Sequence, residues 1–381
     1  MNLRESNQFS AAYYVPTIPD VYSTDRYQHA LSVAEYAEES HLISNNSVPE
    51  VLSERATSTT ILSSEGVLAR GREAAATARE LVGSDGLFVT SYHYEAALAG
   101  LLAGRPSFVP SGSREKPTWV ADIYESPAQY RLNQPHSYHR VTAIGLATLL
   151  KSAPYGIHSV HPNTPYQYGQ TRSFLNNGAP VDQVTPTFSR NDPLRIVWVG
   201  SPRSDRGGSI LADALTRVDA EIKLDIYGQA DDEFVRTLDR VGDRHDVTLH
   251  GHVEHSACLR AIEMADVGYG VLPRRKDWRY APPIKVGEYL AGGTIPLVSQ
   301  LPGTVQIAGP AGWYVTPTDE AAARAIDMLA GMAVDKFTTC AEAARNRAEA
   351  ISWRRLRSEF ATQLAIAHGE ASGRSVVSVH I

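Results

Sequence analysis

Short apolar runs that read as strands alternate with longer segments of helical period along the whole chain, and this alternation constrains the fold more than any other feature. AAYYVP (Ala11 to Pro16), HLIS (His41 to Ser44), GLFVTSY (Gly86 to Tyr92), PTWVADIY (Pro117 to Tyr124) and a run near Gly156 to Val160 read as strands. Between them lie helical patterns: one from Asp25, GREAAATARELVG, YEAALAGLLAG closed by Gly104, and one over Arg140 to Lys151. After Pro193 the alternation restarts with LRIVWVG, SILADALTRV, IKLDIYG, DDEFVRTLDRVG, DVTLHG, HSACLRAIEMA, VGYGVLP, PIKVGEYLA and TIPLVS. Such a pattern predicts an α/β protein with mostly parallel sheets. The 381 residues exceed what one core usually carries, so two domains are expected.

The stretch Asn176 to Pro193 is rich in turn formers and poor in periodicity, which marks the interdomain connection. The expected layout is an N-terminal domain over 1–180, a linker over 181–193, a second domain over 194–350, and a terminal helix and tail over 351–381. Ligands of two such doubly wound halves are expected at the carboxyl ends of the strands, in a cleft.

Composition excludes several function classes. A net charge of −6, from 36 basic and 42 acidic residues, gives no electrostatic case for nucleic acid. Two cysteines, Cys258 and Cys340, support neither a disulfide framework nor a cysteine-based zinc site and fit a reducing compartment. The N-terminus lacks the apolar stretch of a signal peptide. The longest apolar runs, such as Val141 to Leu150, are about half of the roughly 20 residues a span needs. A cytoplasmic location is expected, and peripheral contact with the inner membrane face is compatible with it. The histidines His136/His139, His158/His161 and His250/His252/His255 are close in sequence but lack metal-site context, so no metal is expected.

Two constellations carry chemistry. In VGSPRSDRGGSI (Val199 to Ile210) a strand ends at Gly200, a polar loop carries Arg203, Asp205 and Arg206, and Gly207-Gly208 lead into a helix. Glycines at a helix start let phosphate approach free backbone N–H groups, and a fixed guanidinium adds a bidentate partner. The alternative is an ordinary solvated loop. In APPIKVGEYLAGGTIPLVS (Ala281 to Ser299), Pro282-Pro283 start a helix that Gly292-Gly293 close. Lys285 and Glu288 share one face, and a lysine in a first turn is unfavourable without an anion beside it. A diphosphate is such an anion, and Glu288 is then placed to accept hydrogen bonds from sugar hydroxyls. A solvated Lys/Glu pair is the alternative.

Together these stretches resemble the donor-binding domain of retaining GT-B glycosyltransferases of family 4 over residues 194 to about 365. The resemblance rests on VGS followed by Arg206-Gly207, LDIYGQ with VTLHGHVEHS, ADVGYGVLP before PIKVGEYLAGGTIPLVS, GPAGWYVTP, and ISWRRLRSEFATQL. It implies a GT-B fold, with two Rossmann-like domains facing each other across a cleft. It implies that Arg206 and Lys285 hold the donor pyrophosphate, with Gly200 and Gly207 in the phosphate loop. Glu288 would meet the ribose hydroxyls, and main-chain groups near Gly228, His252 and Val253 the base. The implied activity is retaining transfer of a hexose from a nucleoside-diphosphate sugar to a sugar, glycan or lipid-linked acceptor, in cell-surface glycan, polysaccharide or glycolipid assembly. No cofactor or metal is implied beyond the donor itself. A non-catalytic nucleotide-sugar-binding subunit, or an epimerase or hydrolase on the same fold, are the alternatives.

The sequence departs from that pattern in two places. Tyr280 stands where the family often has a glutamate facing the transferred sugar, eight residues before Glu288. The first loop, Pro16 to Tyr27, lacks the glycine pair usual there. In the N-terminal half, Asp25 and Arg26 are candidates for substrate contact or for capping. His93 sits at a strand end, where the family often has a histidine, with packing as the alternative. Asp122 and Glu125 end the next strand, and at least one of them is expected to act in the site.

Overall fold

The computed structural model describes residues 9–104, 106, 116–125, 138–238, 241, 244–276 and 278–372, with 138–141 described by backbone alone. The chain divides into two compact units, one of Met1–Leu175 with Arg354–Ile381 and one of Asn176–Trp353.

Unit 1 runs β1 (Ser10–Tyr14), α1 (Asp25–Tyr36), β2 (Glu39–Ser44), α2 (Glu50–Arg55), β3 (Ser58–Ile61), α3 (Val67–Val82), β4 (Leu87–Thr90), α4 (Tyr94–Ala103), β5 (Thr118–Ile123), α5 (Tyr138–Leu150), β6 (Tyr155–His158) and β7 (Thr171–Phe174). The seven strands lie in the order β3-β2-β1-β4-β5-β6-β7, and every pairing is parallel. Parallel neighbours need crossovers, and the helices that supply them cover both faces. The central strands are accordingly buried throughout, β4 and β5 at every residue. One face packs Tyr13, Leu31, Val89 and Val120 with Phe360 and Leu364 of the terminal helix. The other packs Tyr14, Ile43 and Phe88 on alanines of α3 and α4.

Unit 2 runs β8 (Leu194–Val199), α6 (Gly208–Leu215), β9 (Ile222–Tyr227), α7 (Asp232–Leu238), β10 (Asp246–Gly251), α8 (His255–Glu263), β11 (Val267–Gly270), α9 (Ile284–Ala291), β12 (Ile295–Ser299), α10 (Pro302–Ala308), β13 (Trp313–Val315), α11 (Asp319–Ala330) and α12 (Val334–Ala350). A last helix, α13 (Trp353–Ser372), belongs with unit 1 from Arg354 onward. The six strands are ordered β10-β9-β8-β11-β12-β13, again all parallel. Each sheet thus reverses direction beside its first strand, the Rossmann order, with a crevice at the carboxyl ends where it reverses.

The turn-rich stretch Asn176 to Pro193 groups with unit 2. Asn177 Nδ2 donates to Pro282 O at 2.7 Å, Thr185 N donates to Glu263 Oε1 at 2.7 Å, and Asn191 N donates to Asp266 Oδ1 at 2.9 Å. Phe188 packs on the core formed by β8, β9 and α11. Its turn composition reflects a strap that takes its hydrogen bonds from neighbouring elements instead of from itself.

Candidate functional site: a cation pair at the sheet edge of unit 2

Four strand ends of unit 2 meet at one edge through glycines. Gly200 N donates to Tyr227 O at 2.8 Å and Gly228 N to Gly251 O at 2.7 Å. At Gly228 an added Cβ would stand 2.5 Å from the carbonyl of Gly200. Gly207 has φ +92°, and a Cβ there would stand 2.1 Å from Val271 O. That contact presses the loop after β8 against the end of β11, at the point where the strand order reverses. Only glycine permits both the backbone conformation and the approach. Ser204–Arg206 form one 3₁₀ turn capped by Gly207 in the left-handed region, and α6 starts at the next residue.

The loop and α9 bring two cations together. The Arg206 guanidinium lies 5.3 Å from the centre of the Trp278 ring, and Trp278 Nε1 donates to Asp205 O at 2.7 Å, which ties the ring to the loop. Lys285 Nζ lies 4.3 Å from the centre of the Trp198 ring. Trp198 is fixed by Nε1 donating to Gly200 O at 2.7 Å and by stacking on Tyr269. Burial, then the nearby Arg206 charge, hold the Lys285 ammonium down at about 7, against the pull of Glu288. Two cations at a helix start repel each other and the helix dipole. An anion between them relieves all three terms.

Glu288 lies one turn further along α9 and is 3% exposed. His255 Nε2 is 2.7 Å from Glu288 Oε1. Against the opposing effect of burial, that bond raises the His255 pKa. Burial and Glu288 push the neighbouring Cys258 thiol up to about 11. His252 and Val253 occupy the connection between β10 and α8, directly after Gly251 at φ +67°. Gly200, Arg206, Gly207, Gly228, His252, Val253, Lys285 and Glu288 therefore all lie on unit 2, on loops or in the first two turns of helices that follow its strands. The sequence reading missed Trp198, Trp278 and His255. A tryptophan one residue before the end of a strand that leads into a glycine loop was the available signal for the first. Tyr280 carries the Arg279 guanidinium on its ring, at 5.4 Å.

Unit 1 holds the remaining candidates in a different setting. Asp122 is fully buried. Its Oδ2 accepts from the Tyr13 hydroxyl and pairs with His29 Nδ1 at 2.9 Å. The His29 ring stacks on Phe360 at 4.1 Å. Burial pushes the Asp25 carboxyl up to about 7, partly offset by His29 one turn away. Glu125 follows β5 and is half-buried. His93 caps α4, its Nδ1 accepting from Glu95 N at 3.3 Å, and burial lowers its pKa. Glu95 itself is held by Arg70 at 2.9 and 3.0 Å and by Asn45. Oδ2 of Asp122 is thus taken up by Tyr13 and His29 within the core while Oδ1 is buried without a hydrogen-bond partner, and of the two acids Glu125 is the more accessible.

Four of the paired histidines serve as hydrogen-bond partners: His158 to Tyr168 O, His161 accepting from Asn163 N, His250 to Asp225 and His255 to Glu288. His136 and the side chain of His139 lie outside the described residues. Among the described residues no cluster of three His, Cys, Asp or Glu side chains is placed to hold a metal, and no helix is long and apolar enough to cross a membrane.

The chain has the α/β fold of GT-B glycosyltransferases. It is similar to the Anabaena protein Alr3699/HepE in complex with UDP and glucose, with a TM-score of 0.70, 13% identity, and coverage of 94% of this chain and all of the other. A glycosyltransferase from Rickettsia africae gives a TM-score of 0.63 at 15% identity over 97% of this chain and all of that one. The UDP-forming trehalose-phosphate synthase from Burkholderia xenovorans, in complex with glucose-6-phosphate, gives 0.63 at 11% identity over 93% and 99%. No protein-family model and no curated protein sequence matches the chain.

Proposed function

We propose that this chain is a glycosyltransferase that moves a hexose, with retention, from a nucleoside-diphosphate sugar to an acceptor hydroxyl in glycan, polysaccharide or glycolipid assembly. The observation that carries the reading is the pair Arg206 and Lys285, each backed by a tryptophan, at the crevice where the strand order of unit 2 reverses. A diphosphate between them takes charge-assisted hydrogen bonds from both and restores the Lys285 proton. As the glycosidic bond breaks, negative charge grows on the departing diphosphate, and the two cations stabilise it with no metal or cofactor. Glu288 accepts from the ribose hydroxyls, and main-chain groups around Gly228, His252 and Val253 meet the base. That solved structures of the same fold hold UDP and UDP-glucose supports a nucleotide-sugar donor for this chain. The acceptor side is assigned to unit 1, with Glu125 and His93 as its candidate groups and a sugar, glycan or lipid-linked acceptor as its substrate.

A thermal-shift panel of UDP-, GDP-, ADP- and dTDP-sugars tests the reading. One nucleotide series should raise the melting temperature, and the same sugar should be turned over in the presence of an acceptor. Stabilisation without turnover on any acceptor would favour a non-catalytic binding subunit, for which Tyr280 in place of an acid is the motive. No stabilisation by any member of the panel overturns the proposal.

A further inference from the structure

His255 opens α8 just after the end of β10, and its Nε2 reaches Glu288 Oε1 at 2.7 Å. Among the described residues His255 is the one hydrogen-bonding partner of the Glu288 carboxylate. An ionised carboxylate has about four acceptor positions, and His255 occupies one. Oε2 has no hydrogen-bond partner among the described residues, yet it is not sealed from solvent, so donors of a ligand can reach it. The remaining acceptor capacity therefore points to donors that arrive with a ligand. Lys285, one turn earlier on the same helix, rests on the Trp198 ring and makes no hydrogen bond to this carboxylate among the described residues.

We propose that His255 is a positioning residue for nucleoside recognition: by anchoring Oε1 it fixes the Glu288 carboxylate so that its other acceptor positions receive a vicinal pair of ribose hydroxyls. This rests on the reading of Glu288 given above and adds the group that sets its geometry. A glutamate side chain on its own samples several rotamers, and freezing it on binding costs about 1 kcal/mol or more. A histidine rooted in the first turn of a neighbouring helix removes that freedom beforehand, which is how pre-organisation raises affinity. The charged groups around the pair favour the arrangement. Glu288 on α9 raises the His255 pKa, Cys258 on α8 stays a neutral thiol, and Lys285 interacts with the carboxylate through charge alone.

The test is a titration of UDP, GDP and ADP, each against its 2′-deoxy counterpart, into the wild-type chain and into His255→Phe and His255→Gln variants. For whichever nucleotide the wild type binds, the deoxy form should bind roughly 10–100-fold more weakly, the value of a hydrogen bond to a charged group. His255→Phe should weaken the ribose form and bring the ratio toward one. His255→Gln, whose amide can still donate to Glu288, should keep most of it. A merely structural histidine would lower the melting temperature without moving the ratio. If His255→Phe melts early, His255→Ala gives the same ratio at a smaller side chain. A wild-type ratio retained in the Phe or Ala variant overturns the role of His255 and leaves the reading of Glu288 standing. No discrimination in the wild type, or no binding of any of the three nucleotides, overturns both.

Discussion

Lys285 Nζ stands 4.3 Å above the centre of the Trp198 indole, so a cation from a helix start rests on an aromatic face at the end of the first strand of its sheet. A ring quadrupole attracts a cation by about 0.5–2 kcal/mol. That contact, and not a carboxylate, keeps the lysine where its charge adds to that of Arg206.

Removing either cation should remove most of the affinity for a diphosphate. Arg206→Ala and Lys285→Ala are each expected to lower turnover by about 100–1,000-fold, the scale of a lost donor in an anion site. Nucleotide binding by calorimetry should fall in parallel, with far-ultraviolet circular dichroism unchanged. Trp278→Leu, which removes only the platform under Arg206, should cost roughly 3–30-fold. Wild-type turnover in both cation variants would sink the site.

Ligand binding should take up a proton. In the free protein Lys285 loses its proton near pH 7, and a diphosphate beside it favours the charged form. At pH 8 the uptake should approach one proton per nucleotide, and at pH 6 it should be close to zero. Affinity should fall by about tenfold for each pH unit above 7. Calorimetry in buffers of different ionisation enthalpy measures this directly, and an uptake near zero at pH 8 contradicts it.

Two glycines of the phosphate loop should respond differently to alanine. Both have positive φ, Gly200 at +102° and Gly207 at +92°. Around Gly200 an added Cβ meets nothing within 4 Å, whereas at Gly207 it meets Val271 O at 2.1 Å. Gly200→Ala should therefore cost only the backbone term, about 1–2 kcal/mol. Gly207→Ala should cost clearly more and should also weaken nucleotide binding, since the loop must lift from β11. Equal melting temperatures for the two variants would refute the distinction.

Asp25 should make stability fall as pH rises. Its folded pKa is about 7, against an ordinary value of 3.8. Between these values the folded state holds a proton that the unfolded state has released. The stabilising contribution is complete below about pH 4 and is lost as pH passes 7. Asp25→Asn removes the titration, so the variant should melt higher than the wild type at pH 8, with the gap shrinking toward pH 5. The gap at pH 8 is expected on the order of 2–4 kcal/mol, several degrees in Tm. A constant gap across this range would exclude the carboxyl as its source.

The parallel α/β architecture was legible because the buried central strands are continuous apolar runs and the covering helices keep their period. Several elements were not, β3, β7 and α2 among them. The strand β3 has only alternate residues half-buried and β7 has two of four exposed, as suits positions at the two ends of the sheet, while α2 buries only Leu52. Elements that bury so little carry little hydrophobic signal. Turn composition marks where a chain lacks internal pairing, and Asn176 to Pro193 finds its partners across unit 2 instead.

The sequence by itself determined that Lys285 and Glu288 share one face of a helix that two prolines start and two glycines close, because helical spacing and proline and glycine placement are local facts. It also determined that two rounds of strand and helix alternate along the chain. Only the tertiary structure decided what each charged group faces. It set Trp198 under Lys285, Trp278 under Arg206 and His255 against Glu288, and it committed Asp122 to Tyr13 and His29 inside a core. These pairs join residues far apart in the chain, through the parallel crossovers that gather the carboxyl ends of the strands at one edge. Local periodicity carries no record of such neighbours, yet they fix the burial and charge that give each group its chemistry.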